Sequence, residues 1–292
     1  MNGNVFKYVL LTPAVLLIGA TTLYPMLQSF WISLHDWDLK ESLQIGAFVG
    51  LGNYARALTD EQFWNAIFAT MKFALSAVVV TLILSIAVAL VLSKENRLYS
   101  YIRSILIVPF AMSAALIGYS WKFMLNPDYG FFTTIVGAVI RPIGSIVWLG
   151  SPTGAMAALV SILVWIWLPF MSLMLISGLM SLPREVFEAS RVDGANAAQT
   201  LFRITLPMMQ PIILVATILM TMFALKAFDP IVTLTAGGPG SSTEVLNYFV
   251  YKTGFRYFDM GYSSALGYIL AMITIVFVIV YMRRLVKGGE WN

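Results

Sequence analysis

The sequence has few charged residues and no cysteine. Of its 292 residues, 11% are Asp, Glu, Lys or Arg, whereas a soluble domain carries about 25%. So few charges cannot keep a chain in which 59% of the residues are hydrophobic in water. The absence of cysteine excludes disulfides and thiolate metal sites, and the single histidine, His35, excludes catalytic dyads built on several His or Cys residues. The composition predicts a polytopic membrane protein.

Hydrophobic residues cluster into six runs of about 20 residues or more, the length that crosses the hydrocarbon core of a bilayer. The first run has Pro13 and Pro25 as expected kinks, and it lacks a small-residue cleavage site, so we expect it to be retained. The sequence therefore predicts an all-α membrane protein with six transmembrane helices. The six runs are 8–32, 66–92, 105–125, 155–179, 208–228 and 262–282.

The distribution of Lys and Arg between the connecting segments predicts the orientation. With the N-terminus inside, ten of these cations fall in inner segments and six in outer segments. Because inner loops of membrane proteins are enriched in Lys and Arg, this distribution favours cytoplasmic positions for both termini. We expect one transmembrane domain over residues 1–292, with no internal repeat.

Three outer connections are too long to be simple turns. The first contains a strand-like run at 47–51, and the second contains an apolar piece at 131–140 that is too short to span and is expected to be a re-entrant or surface helix. The third, 229–261, is rich in Gly, Ser and aromatic residues. Long ordered loops of this kind usually carry function.

The inner loop 181–207, between the fourth and fifth runs, is expected to form two short helices around a turn. Ser181 can cap the first helix and Gly194 suits the left-handed residue that closes it. Asn196 and Gln199 have the spacing of a capping box that starts the second helix. The loop has apolar side chains and balanced charge, without the Lys and Arg excess of a helix that lies on lipid. This pattern favours a protein partner.

The inner loop also resembles the signature of permease subunits of ABC importers. That signature is Glu-Ala-Ala, three residues, Gly, nine residues and Ile-x-Leu-Pro, and Ser190 is the one departure from it. The segments 126–130 and 228–239 resemble the carbohydrate-uptake branch of that family, of the maltose and glycerol-3-phosphate type. The matching positions, which the resemblance implies contact a partner ATPase, are Glu188, Ala189, Ser190, Gly194, Ile204, Leu206 and Pro207.

The resemblance implies a multi-pass subunit of the bacterial cytoplasmic (inner) membrane that forms the path for a sugar or sugar-like solute. Its implied partners are an ATPase dimer, a second homologous permease and an extracytoplasmic solute-binding protein. No Gly-Lys dipeptide occurs, so the chain has no P-loop, and we expect ATP and Mg²⁺ to bind in partner subunits. The chain is expected to have no enzyme activity, cofactor, metal or nucleic-acid partner of its own.

Two groups of residues are candidates for contacts with the solute and with the binding protein. Aromatic and hydrogen-bonding side chains are typical of sugar sites, and charges within spans tend to face a water-filled path. We expect Lys72 and Lys122 to reach the headgroups instead. The solute-path candidates are Trp121, Asn126, Trp165, Gln210, Lys226 and Asp229, and the binding-protein candidates are Gly237, Gly238, Pro239 and Thr243.

Other functions stay open at this point. An ion-coupled secondary transporter usually has inverted repeats and a carboxylate at the centre of a span, and neither is visible. An intramembrane enzyme requires paired carboxylates or an activated nucleophile within the bilayer, and neither appears. Within the importer family, a glycerophosphate-type solute is the alternative to a sugar. Lys226 and Asp229, if they pair on one helix face, cancel each other's charge and favour a neutral solute.

Overall fold

The computed structural model describes residues 3–94, 96–139 and 147–288 of the chain. Within these ranges the elements are helical, and extended pairing is limited to isolated bridges. The α-helices are α1 (Gly3–Ile18), α2 (Tyr24–Ser33), α3 (Gly52–Thr59), α4 (Glu61–Leu92), α5 (Arg97–Leu106), α6 (Val108–Ala111), α7 (Ala114–Met124), α8 (Gly137–Val139), α9 (Pro152–Met180), α10 (Arg184–Val192), α11 (Ala197–Thr200), α12 (Leu206–Met208), α13 (Gln210–Leu225), α14 (Leu246–Phe255) and α15 (Met260–Gly288). Turns of π-helix lie at Gly19–Leu23, Phe132–Val136, Leu201–Thr205 and Ile231–Thr235, and a 3₁₀ turn lies at Trp148–Gly150.

Among the residues that the structure describes, four helical segments are long and apolar enough to cross a membrane: Leu10–Ser33, Glu61–Leu92, Pro152–Met180 and Met260–Arg283. These segments confirm the first, second, fourth and sixth predicted spans. In the first, a π-helical turn at Gly19–Leu23 lies between α1 and α2, and Pro25 is the second residue of α2. π-helical turns occur mostly as single turns within α-helices, and they and proline are common places for a helix to bend.

The prediction of one continuous helix over the third span, 105–125, is wrong, because the helix is broken within this range. The chain turns by 93° between Arg97–Ala111 and Ala114–Met124. Met112 and Ser113 have extended backbones at the break. The 11 residues of α7 rise only about 16 Å, too little to cross the bilayer alone. Hydropathy averages over such a break and therefore does not reveal it.

The fifth predicted span, 208–228, is shorter than expected and is also one arm of a bent pair. It is helical over Gln210–Leu225, and it meets the segment Ala197–Met208 at 68°. The chain then leaves the helix at Lys226 and forms the π-helical turn Ile231–Thr235. If each bent pair counts as one span, the described part of the chain has up to six candidate spans.

Contacts divide the chain into two compact units. Unit 1 consists of Met1–Trp64 and Phe249–Met272, and unit 2 of Asn65–Tyr248 and Ile273–Asn292. The prediction of a single domain stays a prediction.

Unit 1 is organised around the first outer connection. The buried Asn53 amide donates to the backbone oxygens of Ser33 and His35, at 3.0 and 2.9 Å. The strand-like run at 47–51 forms an isolated antiparallel bridge between His35 and Phe48 and does not extend into a strand. A chain reversal with one bridge has too few ladder hydrogen bonds to extend into a sheet.

Unit 2 is built around α9. In the most apolar 18-residue stretch of this helix, 61% of the residues are buried. Trp167 of this helix stacks on Phe223 with ring centroids 3.5 Å apart and also contacts Phe110 and Phe170. This aromatic cluster joins α6, α9 and α13. Trp167 is therefore a packing residue of the bundle.

Two helical segments of unit 2 approach each other closely at Gly118, where α7 meets the π-helical turn Ile231–Thr235. A Cβ atom at Gly118 would overlap the Thr233 side chain, and its distance to the Pro230 Cα would be 3.7 Å. Thr233 cannot rotate away cheaply, because its hydroxyl donates to the Asp229 backbone oxygen at 2.7 Å. Small residues at such positions let backbones approach closely within a membrane.

We expect Gly118→Val to destabilise unit 2 by about 1–3 kcal/mol, the usual cost of overpacking. The measurement is the thermal unfolding temperature in detergent, monitored as the amount of monodisperse protein that remains after heating. Gly19→Val is the matched control, because a Cβ atom at Gly19 meets no atom within 4 Å. Equal unfolding temperatures for the two variants would contradict the packing at Gly118.

Candidate functional site

A groove with a volume of about 900 Å³ lies along one side of unit 2. The α4 residues that line it repeat every four positions, from Phe68 through Lys72, Ser76 and Val80 to Leu84. Residues at this spacing share one face of a helix, so the groove follows α4 for about four turns. It is a long channel-like surface and not a local pit.

The opposite wall of the groove is a face of α9 with the same periodicity. Met156, Val160, Val164 and Leu168 repeat every four residues, and Ser161 and Trp165 flank them. Trp121 of α7 completes the lining. Most of the surface is therefore apolar, with a few hydroxyl, indole and ammonium groups, which is the usual composition of a small-molecule site.

The Gly-rich loop, residues 236–245, lies at one end of the groove. Ser242 lines the groove beside Asn65, whose side-chain amide donates to the Ser241 backbone oxygen at 3.0 Å. The backbone N–H of Leu246 donates to the Thr70 hydroxyl at 2.8 Å, so the loop is fixed to α4 at a second point. The groove thus ends in an ordered structure.

Two of the predicted solute-path residues, Trp121 and Trp165, line this groove together. Trp165 exposes 49% of its surface although it lies in the middle of the span Pro152–Met180, and Trp121 is half-buried. The groove also contains Lys72, which the sequence placed at the headgroups, and Ser76, which the sequence did not single out. The four-residue spacing of Lys72 and Ser76 on α4 was the signal that could have found them.

The other four predicted solute-path residues do not line the groove. The Asn126 side chain accepts hydrogen bonds from the backbone N–H groups of Asp128 and Tyr129, at 2.8 and 3.3 Å, and so shapes a turn. Gln210 is the exposed first residue of α13. Lys226 and Asp229 lie beyond the end of α13 at Leu225, so no helix face carries both, and no ion pair between them is found.

The Gly-rich loop has four residues with a positive φ, in two adjacent pairs: Ala236 and Gly237, and Gly240 and Ser241. Gly237 has a φ of +83°, and a Cβ atom there would lie 2.9 Å from the Tyr248 ring. Thr243 is fully buried, and its hydroxyl donates to the Gly238 backbone oxygen at 2.6 Å. Of the four predicted binding-protein contacts, Gly237 and Thr243 are therefore buried, whereas Gly238 and Pro239 are half-buried. The exposed tip of the loop is Gly240 and Ser241.

The inner loop 181–207 has the predicted helix–turn–helix form. The helix α10 ends in a Schellman motif: Gly194 has a φ of +75°, its N–H donates to the Arg191 oxygen at 3.1 Å, and the Ala195 N–H donates to the Ser190 oxygen at 2.9 Å. The predicted capping box is confirmed, with reciprocal bonds of 2.9 Å between Asn196 and Gln199. The predicted cap at Ser181 is wrong, because its hydroxyl donates backward to Gly178 and α10 begins after Pro183.

The signature residues of this loop divide between its surface and its interior. Glu188, Ala189 and Gly194 are exposed on α10 and its turn, and Pro207 is exposed further on. Ser190 is 5% exposed and donates to the Phe187 oxygen at 2.8 Å, while Ile204 and Leu206 are half-buried. A hydroxyl at position 190 is thus satisfied within its own helix. Serine in place of the alanine of the signature therefore leaves no hydroxyl without a hydrogen bond.

Large apolar side chains are also exposed on the inner loop. Val192 exposes 87% of its surface and Phe202 exposes 67%. Both residues lie next to charged residues in the inner loop and outside the long spans. We therefore do not expect lipid tails to cover these two side chains. The inner loop therefore exposes large apolar side chains outside the long spans.

Arg103, which the sequence did not single out, holds the segment that leads to this loop. Its guanidinium donates to the backbone oxygens of Leu92, the last residue of α4, and of Lys94, two residues further on. Nη1 lies 3.7 Å from the Met180 sulfur at the end of α9. A cation at a helix C-terminus pairs with otherwise unsatisfied carbonyl groups. Arg103 thus ties the end of α4 to the start of the inner loop.

The sequence matches the family model described as binding-protein-dependent transport system inner membrane component over residues 81–288. It is 34% identical over 279 residues to the trehalose/maltose transport system permease protein MalF of Thermococcus litoralis, covering 94% of this chain and 92% of that one. It is 31% identical over 285 residues to the sulfoquinovosyl glycerol transport system permease protein SmoG of Agrobacterium fabrum, covering 97% and 91%.

The fold is similar to a chain in the crystal structure of a bacterial ABC transporter involved in the import of the acidic polysaccharide alginate. The TM-score is 0.79 at 21% sequence identity, and the match covers 97% of this chain and 95% of that one. The similarity therefore extends over the groove, the Gly-rich loop and the inner loop.

Proposed function

This chain belongs to the family of binding-protein-dependent transport system inner membrane components, and from that membership we propose that its groove is one wall of the path of a carbohydrate solute. It is an inner-membrane permease subunit of an ABC importer. The observation that carries the proposal is the groove itself, which runs along two spans and presents Trp121 and Trp165 beside hydroxyl groups. Relatives named for trehalose/maltose and for sulfoquinovosyl glycerol support a carbohydrate as the solute class.

The groove is open along its length, so a single chain does not enclose a solute. We propose that a second, homologous permease covers the open side of the groove, between the α4 and α9 walls, so that the two chains together enclose the solute. An extracytoplasmic binding protein then delivers the solute at the Gly-rich end, where Gly240 and Ser241 are exposed. Gly237, Gly238, Pro239 and Thr243 hold that loop in shape.

The inner loop is proposed to dock on a cytoplasmic ATPase. The exposed residues Glu188, Ala189, Val192 and Gly194 offer a small, partly apolar surface of the kind that a cleft in a protein accepts. Ser190, Ile204, Leu206 and Pro207 shape the loop behind that surface. This assignment places both termini in the cytoplasm, in agreement with the distribution of Lys and Arg.

Hydrolysis of ATP is assigned to partner subunits, which bind ATP and Mg²⁺. The chain lacks the Gly-Lys dipeptide of a P-loop, so its own part is to change shape when the ATPase dimer closes. Arg103 supports this role, because it connects the end of α4, a wall of the groove, to the segment that begins the inner loop.

Affinity purification of the tagged chain from membranes tests the proposal. We expect a soluble ATPase and a second permease to copurify in a defined ratio, and uptake by the reconstituted complex to require ATP and the binding protein. An ion-coupled secondary transporter would instead purify without an ATPase. Uptake driven by an ion gradient in the absence of ATP would overturn the proposal.

A further inference from the structure

The charge of the groove bears on the class of solute. Lys72 is the one charged side chain among the described residues that line it, and it is exposed there. No ion pair of Lys72 with a described residue is found. An ammonium group within a span is costly and normally faces a polar path or a partner charge. The groove therefore presents a single cation without a carboxylate in its lining.

The surroundings of Lys72 are those of a recognition site for an amphipathic ligand. Ser76 lies one turn further along the same face of α4 and is also exposed, so an ammonium and a hydroxyl donor stand in line. Trp165 projects from the opposite wall. On the side of the Gly-rich loop, the Ser242 hydroxyl is buried and has no partner among the described residues.

The sequence favoured a neutral solute because Lys226 and Asp229 were expected to pair. The structure removes that reason, since α13 ends at Leu225 and neither residue lines the groove. Lys72 remains in the groove, and no carboxylate among the described lining residues neutralises its charge. Apolar walls strengthen the attraction of such a cation for an anion, because the low dielectric around the groove screens the charge poorly.

We propose that the solute is a saccharide or polyol that carries an oxyacid group (a carboxylate, sulfonate or phosphate), and that Lys72 binds this anion. The proposal rests on the proposed function, in which the groove is the solute path. Lys72 selects the charged solute, Trp165 and Trp121 contact the apolar face of the ring, and Ser76 donates to a hydroxyl or to the anion. The three oxyacid groups share the chemistry that an ammonium recognises.

Competition for a thiol placed in the groove tests the proposal at the permease itself. The chain has no cysteine, so Ser76→Cys introduces a single reactive group. The purified complex is labelled with a neutral maleimide in the presence of either maltose, which is uncharged, or digalacturonate, which carries two carboxylates, at equal concentration and matched ionic strength. The labelling rate is then measured in three backgrounds: with Lys72 intact, with Lys72→Met, and with Lys122→Met.

With Lys72 intact, we expect digalacturonate to slow labelling at least about threefold more than maltose, with a preference that declines as salt screens the ammonium. Lys72→Met should abolish the preference. Lys122→Met should retain it, because Lys122 is likewise an exposed lysine but lies in the last turn of α7 and does not line the groove. Equal protection by the two probes, no protection by either, or a preference that survives Lys72→Met would each overturn the proposal.

Uptake separates this outcome from a failure of the proposed function. A complex that imports an uncharged solute with ATP and the binding protein retains the proposed function and overturns the acidic solute. A complex that imports nothing with ATP fails the proposed function, and the inference falls with it.

Discussion

Gly194→Asp is expected to reduce uptake at least about tenfold while the protein stays folded in the membrane. A Cβ atom at Gly194 meets no other atom of the chain within 4 Å, so no clash within the chain arises. The left-handed backbone at φ +75° costs a non-glycine residue about 1–2 kcal/mol, and less for Asp. The expected loss comes mainly from a new carboxylate in the proposed ATPase contact, since each 1.4 kcal/mol of lost docking energy is a factor of ten.

The measurement compares uptake with ATP hydrolysis in reconstituted complexes. In Gly194→Asp, hydrolysis should no longer depend on the binding protein and its solute. Gly194→Asn is the matched control, because Asn tolerates the same backbone and adds no charge. We expect Asn to retain most of the uptake. Normal uptake by Gly194→Asp at normal expression would contradict the assignment of the inner loop.

Trp165→Ala is expected to reduce uptake about tenfold when the solute is below saturation. Removal of the exposed indole eliminates the aromatic face on the α9 wall of the groove. Aromatic contacts contribute about 0.5–1.5 kcal/mol beyond the area that they bury, and the lost area adds to this. ATP hydrolysis stimulated by the binding protein should continue, because Trp165 lies in a span and not in the inner loop.

Phe123→Ala is the control for Trp165→Ala. Phe123 exposes 64% of its surface on α7 but does not line the groove. The comparison therefore separates a contact with the solute from the general loss of an exposed aromatic side chain in a membrane protein. Equal reductions of uptake in the two variants would contradict the role of Trp165.

The hydrophobic pattern of the sequence predicted four of the spans well, because each is a long, continuous helix. It did not predict the break at Met112 or the early end of α13, because both segments are as apolar as a continuous span. The inner loop was predictable in detail where local chemistry dictates the backbone, as at Gly194 and Asn196. The prediction of a helix cap at Ser181 was wrong, because its hydroxyl donates to the Gly178 backbone oxygen in the preceding turn.

The groove was only partly predictable, because its lining depends on which helix faces meet. Trp121 and Trp165 were identified as a type of residue typical of sugar sites, and both line the groove. Asn126 has the same chemistry but is used in a turn. Lys72 was predicted to reach the headgroups, because its position along the span does not show that its face of α4 lies opposite α9 in the groove. Only tertiary structure brings Lys72 beside Trp165.

The most direct test of the central claim is the side from which Ser76→Cys reacts with a membrane-impermeant thiol reagent in proteoliposomes. If the groove is a path driven by the inner loop, the thiol should be labelled from one side without nucleotide and from the opposite side with ATP and the loaded binding protein. Gly194→Asp should abolish this change of side. Labelling from the same side under both conditions would contradict the account.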